Sequence, residues 1–292
     1  MNQFGGNWTD KKMEIVVSYA KAYLIVMKDQ KWVKTMYFDG FAGSGSIVNE
    51  KVGNNGIFLE EILENNEDVK KGTALRILDI TNPKPFDMYY FVEKNEVHKK
   101  ELEQQVQANY PKSNAYIAQG DCNEKMCAMA NFLTKKKEYR ALAFIDPYGM
   151  SVKWSSIEAL KGLGIDLWIL VPTGVGANRV LVNDGEIPEG WLCALETFLG
   201  IGRYEIMKQF YKKTMVNDLF GNDMTLVEKE KDTVNKLAKL YSEKLKEVFS
   251  YVSEPFVMRN SMNSIMYHFM MATNNTTALK IANDVIKPKY KL

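Results

Sequence analysis

The chain has 292 residues, of which 46% are hydrophobic and 25% charged, so a disordered chain is excluded and a full core is expected. Thirty-eight basic and 36 acidic residues leave a net charge of +2, which excludes a strongly basic protein but not a local basic patch. Two histidines and three cysteines without a paired CxxC spacing predict no metal site. No signal peptide and no apolar run long enough for a bilayer are recognised, which predicts a cytoplasmic protein without a membrane segment.

Hydrophobic periodicity predicts that strands and helices alternate over the first part of the chain. A helix is predicted over 8–29, followed by a buried strand over 35–39. The elements predicted next are helices near 57–63 and over 73–78, a strand over 88–93, a helix ending near 108, a strand over 115–119, a helix over 126–133, a strand over 141–146, a helix over 154–163 and a strand over 167–171. This alternation is typical of a parallel, doubly wound α/β sheet.

Residues 174–250 break this alternation. They contain no convincing strand and at least two helices, one of them amphipathic over 226–249. Strands are predicted again over 255–258 and 265–273, where a short polar connection indicates a hairpin. A last helix is expected over 278–286.

The predicted domain organisation follows from this order of elements. Residues 1–173 and 251–292 are expected to form one Rossmann-like α/β domain, with a mostly parallel seven-stranded sheet and a C-terminal edge hairpin. Residues 174–250 are expected to form a helical insertion that acts as a substrate-recognition cap.

A glycine-rich turn follows the first strand and has the pattern of a nucleotide-binding loop. A phosphate-binding loop would need Lys and then Ser or Thr after its last glycine, where Ser46 and Ile47 stand. The dinucleotide fingerprint would need a third glycine, which is missing from 46–48. The remaining pattern, D-x-F-x-G-x-G, is typical of loops that bind S-adenosyl-L-methionine, with an ordinary strand–turn as the alternative. The residues assigned to the cofactor here are Asp39, Gly40, Phe41, Ala42, Gly43 and Gly45.

Two further acidic positions follow predicted strands. Glu93, next to Lys94, ends the second strand, where a carboxylate can accept both ribose hydroxyls. In the alternative, Glu93 caps a helix or is a solvated strand end. Asp121 follows the third strand, where it can accept from the adenine amino group or cap the next helix. Cys122 beside it either packs on the adenine ring or is buried as a small hydrophobe. All four residues are assigned to the cofactor.

The clearest predicted strand ends in Asp146-Pro147-Tyr148. Open α/β sheets bind ligands at the carboxyl ends of their strands. Methylation of an exocyclic amine needs hydrogen-bond acceptors for the NH₂ group and an aromatic face for the planar substrate. Asp146, the Pro147 carbonyl and Tyr148 are therefore the candidate catalytic residues, and Asp146 is also assigned to the cofactor. In the alternative, Asp146 caps a turn and Tyr148 packs in the core.

The runs YFDGFAGSGS, YYFVEKN, GDCNE and ALAFIDPYG, with Trp154 shortly after, resemble the three-Cys-motif partner proteins, a bacterial methyltransferase-like family, over nearly the whole chain. The resemblance implies a class I methyltransferase fold, which usually ends in an edge hairpin, S-adenosyl-L-methionine as cofactor, and a protein partner encoded nearby. The last run is similar to the D-P-P-[YF] motif of amino methyltransferases. Tyr148 stands where that motif has its second proline, and Gly149 stands where it has its aromatic residue.

Three functions agree with these residues. The first is transfer of a methyl group to an exocyclic amine of a nucleic acid, of the adenine-N6 type, with the target base flipped out of a duplex. The second is methylation of a protein or small molecule, and the third is a partner module without catalysis. For the first, the candidate phosphate contacts are Lys135, Lys136, Lys137, Arg140, Lys212, Lys213, Lys287, Lys289 and Lys291.

Overall fold

The computed structural model describes residues 6–48, 69–217 and 222–287. The helix predicted near 57–63 and the lysines Lys289 and Lys291 lie outside these residues. The strands of the described residues are β1 (Lys34–Asp39), β2 (Ser46–Val48), β3 (Val69–Lys71), β4 (Met88–Glu93), β5 (Ala115–Gln119), β6 (Tyr139–Ile145), β7 (Ile165–Val171), β8 (Tyr211–Asn217), β9 (Asp223–Lys229), β10 (Tyr251–Val252), β11 (Phe256–Arg259) and β12 (Ile265–Thr273).

The helices of the same residues precede, connect and follow these strands. They are α1 (Gly6–Met27), α2 (Thr73–Leu78), α3 (Glu96–Asn109), α4 (Cys122–Lys135), α5 (Trp154–Glu158), α6 (Asn178–Val180), α7 (Glu189–Leu199), α8 (Arg203–Phe210), α9 (Thr233–Val248) and α10 (Thr276–Ile286). A π-helical turn, Thr173–Ala177, joins β7 to α6. None of the helices in the described part of the chain combines the length and apolar character that a membrane crossing requires.

The central sheet has eight strands in the order β10-β12-β7-β6-β1-β4-β5, and β11 also pairs with β12. The contacts of β1 with β4 and β6, of β4 with β5 and of β6 with β7 are parallel. β12 is antiparallel to β7, β10 and β11. The predicted mostly parallel sheet with a C-terminal edge hairpin is thus confirmed, and the additional strand is the two-residue β10.

Helices cover both faces of this sheet, which explains why its central strands are hydrophobic throughout. Every residue of β7 is buried, as expected for a parallel strand covered on both sides. One face packs against α1, α2, α3 and α10, through side chains such as Ile15 and Leu75. The other face packs against α4, α5, α7, α8 and α9, through side chains such as Met126 and Leu245.

The prediction that 174–250 contains no strand is wrong. β8 and β9 form a separate antiparallel hairpin within it, and the amphipathic helix predicted from 226 begins at Thr233 instead. Nearly all side chains of this hairpin are exposed or half-buried, so its strands lack the apolar face by which strands are recognised. The helices of the segment pack into the same core as the sheet, through Phe198 and Tyr241, whose rings stack 5.0 Å apart.

Candidate active site

The structure brings the four predicted acidic positions to one edge of the central sheet. Asp39 ends β1 and Glu93 ends β4. Asp121 lies two residues beyond β5, and Asp146 follows directly after β6. Because β5, β4, β1 and β6 are neighbouring parallel strands, their carboxyl ends lie side by side. This is the edge at which open α/β sheets bind ligands.

The glycine loop after β1 is held by backbone hydrogen bonds to both neighbouring strands. The Gly40 N–H donates to the Phe144 carbonyl at 3.0 Å, and the Ala42 N–H donates to the Val92 carbonyl at 2.9 Å. Gly40 has no room for a side chain, because a Cβ there would lie 2.5 Å from Cys122 Sγ. Gly43 has φ +63°, and nothing lies within 4 Å of the position of its Cβ. The loop is therefore anchored at Gly40 and open at Gly43.

Glu93 joins this loop to the beginning of α3. Its Oε2 accepts from the Gly43 N–H at 2.9 Å, and its Oε1 accepts from the Asn95 N–H at 2.7 Å. The N-cap of α3 is Asn95, whose side chain accepts from the N–H of Val97 and His98. The alternative in which Glu93 caps the helix is therefore wrong. Lys94 is exposed beside it.

Asp39 is a buried carboxyl beneath the loop, with 1% of its surface exposed. Its Oδ1 accepts from the Phe41 N–H at 3.1 Å. The pKa of Asp39 is raised to about 7, mainly by burial and also by the charge of Asp146, while hydrogen bonds from the Phe41 N–H and the Tyr37 hydroxyl and the Lys12 ammonium oppose the shift. A cationic group of a ligand placed beside Asp39 would favour its ionised form.

Asp121 and Cys122 also have structural partners. Asp121 is the N-cap of α4 and accepts from the backbone and side-chain N–H groups of Asn123, both at 2.9 Å. Burial opposes ionisation, but these hydrogen bonds lower the pKa of Asp121. Burial raises the pKa of the Cys122 thiol, and Cys122 belongs to the core against Gly40. The helix cap and the small buried hydrophobe are thus confirmed, and contacts of either residue with adenine stay predictions.

The turn 146–148 presents an aromatic ring to solvent. Tyr148 is 85% exposed, and its ring meets that of Phe41 edge-on, with centroids 6.5 Å apart. The alternative in which Tyr148 packs in the core is therefore wrong. Pro147 is buried, and Asp146 Oδ2 forms an ion pair with the Lys12 ammonium. The carboxylate, proline carbonyl and exposed ring thus lie together beside the glycine loop.

Three residues at this edge were missed by the sequence reasoning. They are Lys12 on α1, Arg179 on α6 and Tyr267 on β12. Burial raises the pKa of Tyr267, as does the charge of Asp146, and the Arg179 charge opposes the shift. None of the three belongs to a sequence motif at the carboxyl end of a predicted parallel strand. Single polar residues on a helix or within an antiparallel strand carry no sequence signal of this kind.

The candidate phosphate contacts do not all lie near Asp146. Lys135, Lys136, Lys137 and Arg140 lie at the amino end of β6, which is separated from Asp146 by the length of the strand, roughly 20 Å. Contact of these four residues with the phosphates of a nucleic acid stays a prediction. Lys212 and Lys213 lie on the exposed hairpin β8–β9, where Lys212 Nζ lies 3.4 Å from a Glu230 carboxylate oxygen.

The amino edge of the sheet has a cleft of its own, of about 250 Å³. Arg140, Asp166 and Tyr23 are among its lining residues. Asp166 accepts a hydrogen bond from the Tyr19 hydroxyl at 2.7 Å and another from Thr273, so this carboxyl joins α1 and β12 to β7. The cleft lies at the other end of the strands from the four predicted motifs. Among the described residues, no group of His, Cys, Asp and Glu side chains is arranged to hold a metal ion.

No family model matches the chain, and no curated protein matches it. Among solved structures, protein LPL1258 of Legionella pneumophila, assigned to DUF519, is similar with a TM-score of 0.54 and 13% identity, over 98% of this chain and 92% of that chain. Trm1 of Pyrococcus horikoshii in complex with S-adenosyl-L-methionine gives a TM-score of 0.38 at 11% identity, over 99% of this chain and 73% of that chain. A DszA carbon methyltransferase gives a TM-score of 0.42 at 11% identity, over 93% of this chain and 56% of that chain.

At 13% identity, the similarity to LPL1258 concerns the fold alone. The TM-scores of Trm1 and of the DszA methyltransferase are below 0.5, and these two structures support no further conclusion. The strand order, the parallel core and the antiparallel β12 between β7 and β10 agree with this fold. The chain has a Rossmann-like α/β fold with a mostly parallel central sheet.

Proposed function

We propose that the chain is an S-adenosyl-L-methionine-dependent methyltransferase that acts on an exocyclic amine of a nucleic acid, of the adenine-N6 type. The observation that carries the proposal is the meeting of Asp39, Glu93, Asp121 and Asp146 at the carboxyl ends of four neighbouring strands. The resemblance to three-Cys-motif partner proteins agrees with it. That resemblance also suggests a protein partner encoded nearby.

The residues around the glycine loop fit this cofactor. The buried Asp39 carboxyl suits the amino group of the methionine part, and the open backbone at Gly43 lets a ligand approach. Glu93 lies across the loop, bonded to the Gly43 N–H, and its carboxylate would accept from the ribose hydroxyls. Asp121 and Cys122 would contact the adenine. When bound, the cofactor supplies an electrophilic methyl group.

The residues 146–148 would hold the acceptor. The Asp146 carboxylate and the Pro147 carbonyl accept the amine hydrogens, which orients the nitrogen lone pair toward the methyl group. Tyr148 is exposed at this point, so its ring is free to stack on a flipped base. Positioning accounts for most of the rate in this proposal.

A second candidate function is methylation of a protein or a small molecule. The placement of Lys135, Lys136, Lys137 and Arg140 at the opposite edge favours it, because these charges would not face a nucleic acid bound at Asp146. The net charge of +2 also favours it. A module without catalysis is the third candidate, since Gly149 stands in the position of the motif's aromatic residue.

The three candidates are separated by incubating the protein with methyl-labelled S-adenosyl-L-methionine and DNA, RNA or cell lysate. Asp146→Ala is measured beside the wild type, and Asp284→Ala, an exposed position on α10, serves as the matched control. We expect label in nucleic acid that is lost in Asp146→Ala and kept in Asp284→Ala. Label in protein or small molecules alone would refute the first candidate. If no label is transferred and the cofactor causes no thermal shift, only the third candidate, a module without catalysis, remains.

A further inference from the structure

Lys12 is a buried lysine at the candidate active site. Its side chain is 6% exposed, and its ammonium forms an ion pair with Oδ2 of Asp146, whose side chain is 27% exposed. The pair joins α1 to the end of β6, across 134 positions of sequence. Lysine is almost never buried to this extent unless its charge is compensated. The ion pair therefore constrains the Asp146 side chain as well as Lys12.

The Lys12 charge acts on both carboxyls of this edge. It lowers the pKa of Asp39, whereas the Asp146 charge raises it and burial raises it most. A single ammonium thus lies within electrostatic reach of the end of β1, where the cofactor is proposed to bind, and in contact with the end of β6, where the acceptor is proposed to bind. The Asp146 charge also acts on Tyr37 and on Tyr267, and the Arg179 charge acts on Tyr267.

The geometry points to Lys12 as a positioning residue that fixes the Asp146 carboxylate for the acceptor amine. With Oδ2 held by Lys12, Oδ1 is left to accept one amine hydrogen, and the carboxylate cannot rotate freely. This inference rests on the proposed function, because it requires that Asp146 faces the acceptor. The amine lone pair forms the new N–C bond while the S–C bond breaks with its electrons going to sulfur. The proton of the methylated amine then leaves to water at this partly exposed edge.

Substitution of Lys12 by Met, which keeps an unbranched chain of similar length, tests the inference. The rate of methyl transfer is measured in a single turnover, with labelled S-adenosyl-L-methionine and the nucleic acid, total RNA or genomic DNA, that the wild type labels. We expect a loss of about 100-fold, the size expected when a reacting group is displaced by about 1 Å. The Kd for the cofactor, from calorimetry, is expected to change by less than about threefold. Lys21→Met, an exposed position on α1, is the matched control and should match the wild type.

Two further variants show whether Lys12 acts through Asp146. Lys12→Arg keeps the charge and should recover part of the rate. The double variant Lys12→Met with Asp146→Ala should be no slower than Asp146→Ala alone, because residues that act as a unit are not additive. Should Lys12→Met fail to fold, Lys12→Gln replaces it, with the same expectations.

Three results would overturn the inference. A wild-type rate in Lys12→Met would show that the ion pair has no role in transfer. A loss of rate matched by an equal rise in Kd would show that Lys12 binds the cofactor instead. A double variant slower than Asp146→Ala by the full factor of Lys12→Met would show an independent effect. A wild type that labels neither RNA nor DNA refutes the proposed function and the inference together, whereas these three results refute the inference alone.

Discussion

At the scale of single residues, Asp39 is the most informative side chain. It is buried at the end of β1, and the hydrogen bonds from the Phe41 N–H and the Tyr37 hydroxyl do not offset the cost of burying its charge. Its position after a buried strand is evident from the sequence. Its burial is not, because that depends on α1 and the neighbouring strands covering it. Lys12 was missed for the same reason, since its partner is distant in sequence.

Asp39→Asn should change how stability depends on pH. Burial raises the pKa of Asp39 from 3.8 to about 7, so the folded state holds a proton that the unfolded state releases between these values. The stability contributed by neutral Asp39 is present below pH 3.8 and lost as the pH rises through about 7. The asparagine variant should therefore be more stable than the wild type at pH 8, by up to roughly 4 kcal/mol.

This comparison is made by chemical denaturation of both proteins at pH 5 and at pH 8. The difference in the free energy of unfolding should be larger at pH 8 than at pH 5, by about 3 kcal/mol. Asp284→Asn, an exposed position, should show no such trend. If the free energies of unfolding of Asp39→Asn and the wild type differ by the same amount at both pH values, the raised pKa assigned to the buried Asp39 is contradicted.

At the scale of elements, the strands and helices that can be predicted from the sequence are those that pack against the core. The strands β4 and β5 and the helix α2 match their predicted bounds exactly as residues 88–93, 115–119 and 73–78. Leu75 on α2 and Phe91 on β4 are buried in the core, and Ala115 and Ile117 of β5 are partly buried against the same layer, so the apolar pattern is visible. The hairpin β8–β9 was missed because both of its faces are largely exposed, and an exposed strand shows no such alternation.

Because the side chains of this hairpin are largely exposed, substitutions in it are expected to change the stability of the protein little. Met215 and Met224 are 69% and 55% exposed, so Met215→Ser and Met224→Ser should each change the free energy of unfolding by less than about 0.5 kcal/mol. Leu245 on α9 is fully buried in the same segment, and Leu245→Ala should cost about 2–5 kcal/mol. Thermal or urea unfolding measures all three. A loss of several kcal/mol in either methionine variant would show that the hairpin packs against the protein.

At the scale of the whole molecule, the topology explains why the site could be predicted in outline. Four parallel strands in one sheet bring residues distant in sequence to one edge, so polar residues at strand ends predict a common site. The same topology places four basic residues at the opposite edge of the sheet. They precede β6 or lie near its start: Lys135, Lys136, Lys137 and Arg140. The sequence shows to which edge such residues belong only when the direction of the strand is taken into account.

We propose that the strand ends of β1, β4, β5 and β6 form a site for S-adenosyl-L-methionine. Titration calorimetry of this cofactor into the wild type, Glu93→Gln and Glu96→Gln tests it most directly. Glu93 ends β4 and accepts a hydrogen bond from the glycine loop, whereas Glu96 is exposed in the first turn of α3. The account predicts binding to the wild type and to Glu96→Gln, with a Kd at least about tenfold higher for Glu93→Gln, the loss expected for a charged hydrogen bond. No binding to the wild type, or equal affinity in all three proteins, would contradict it.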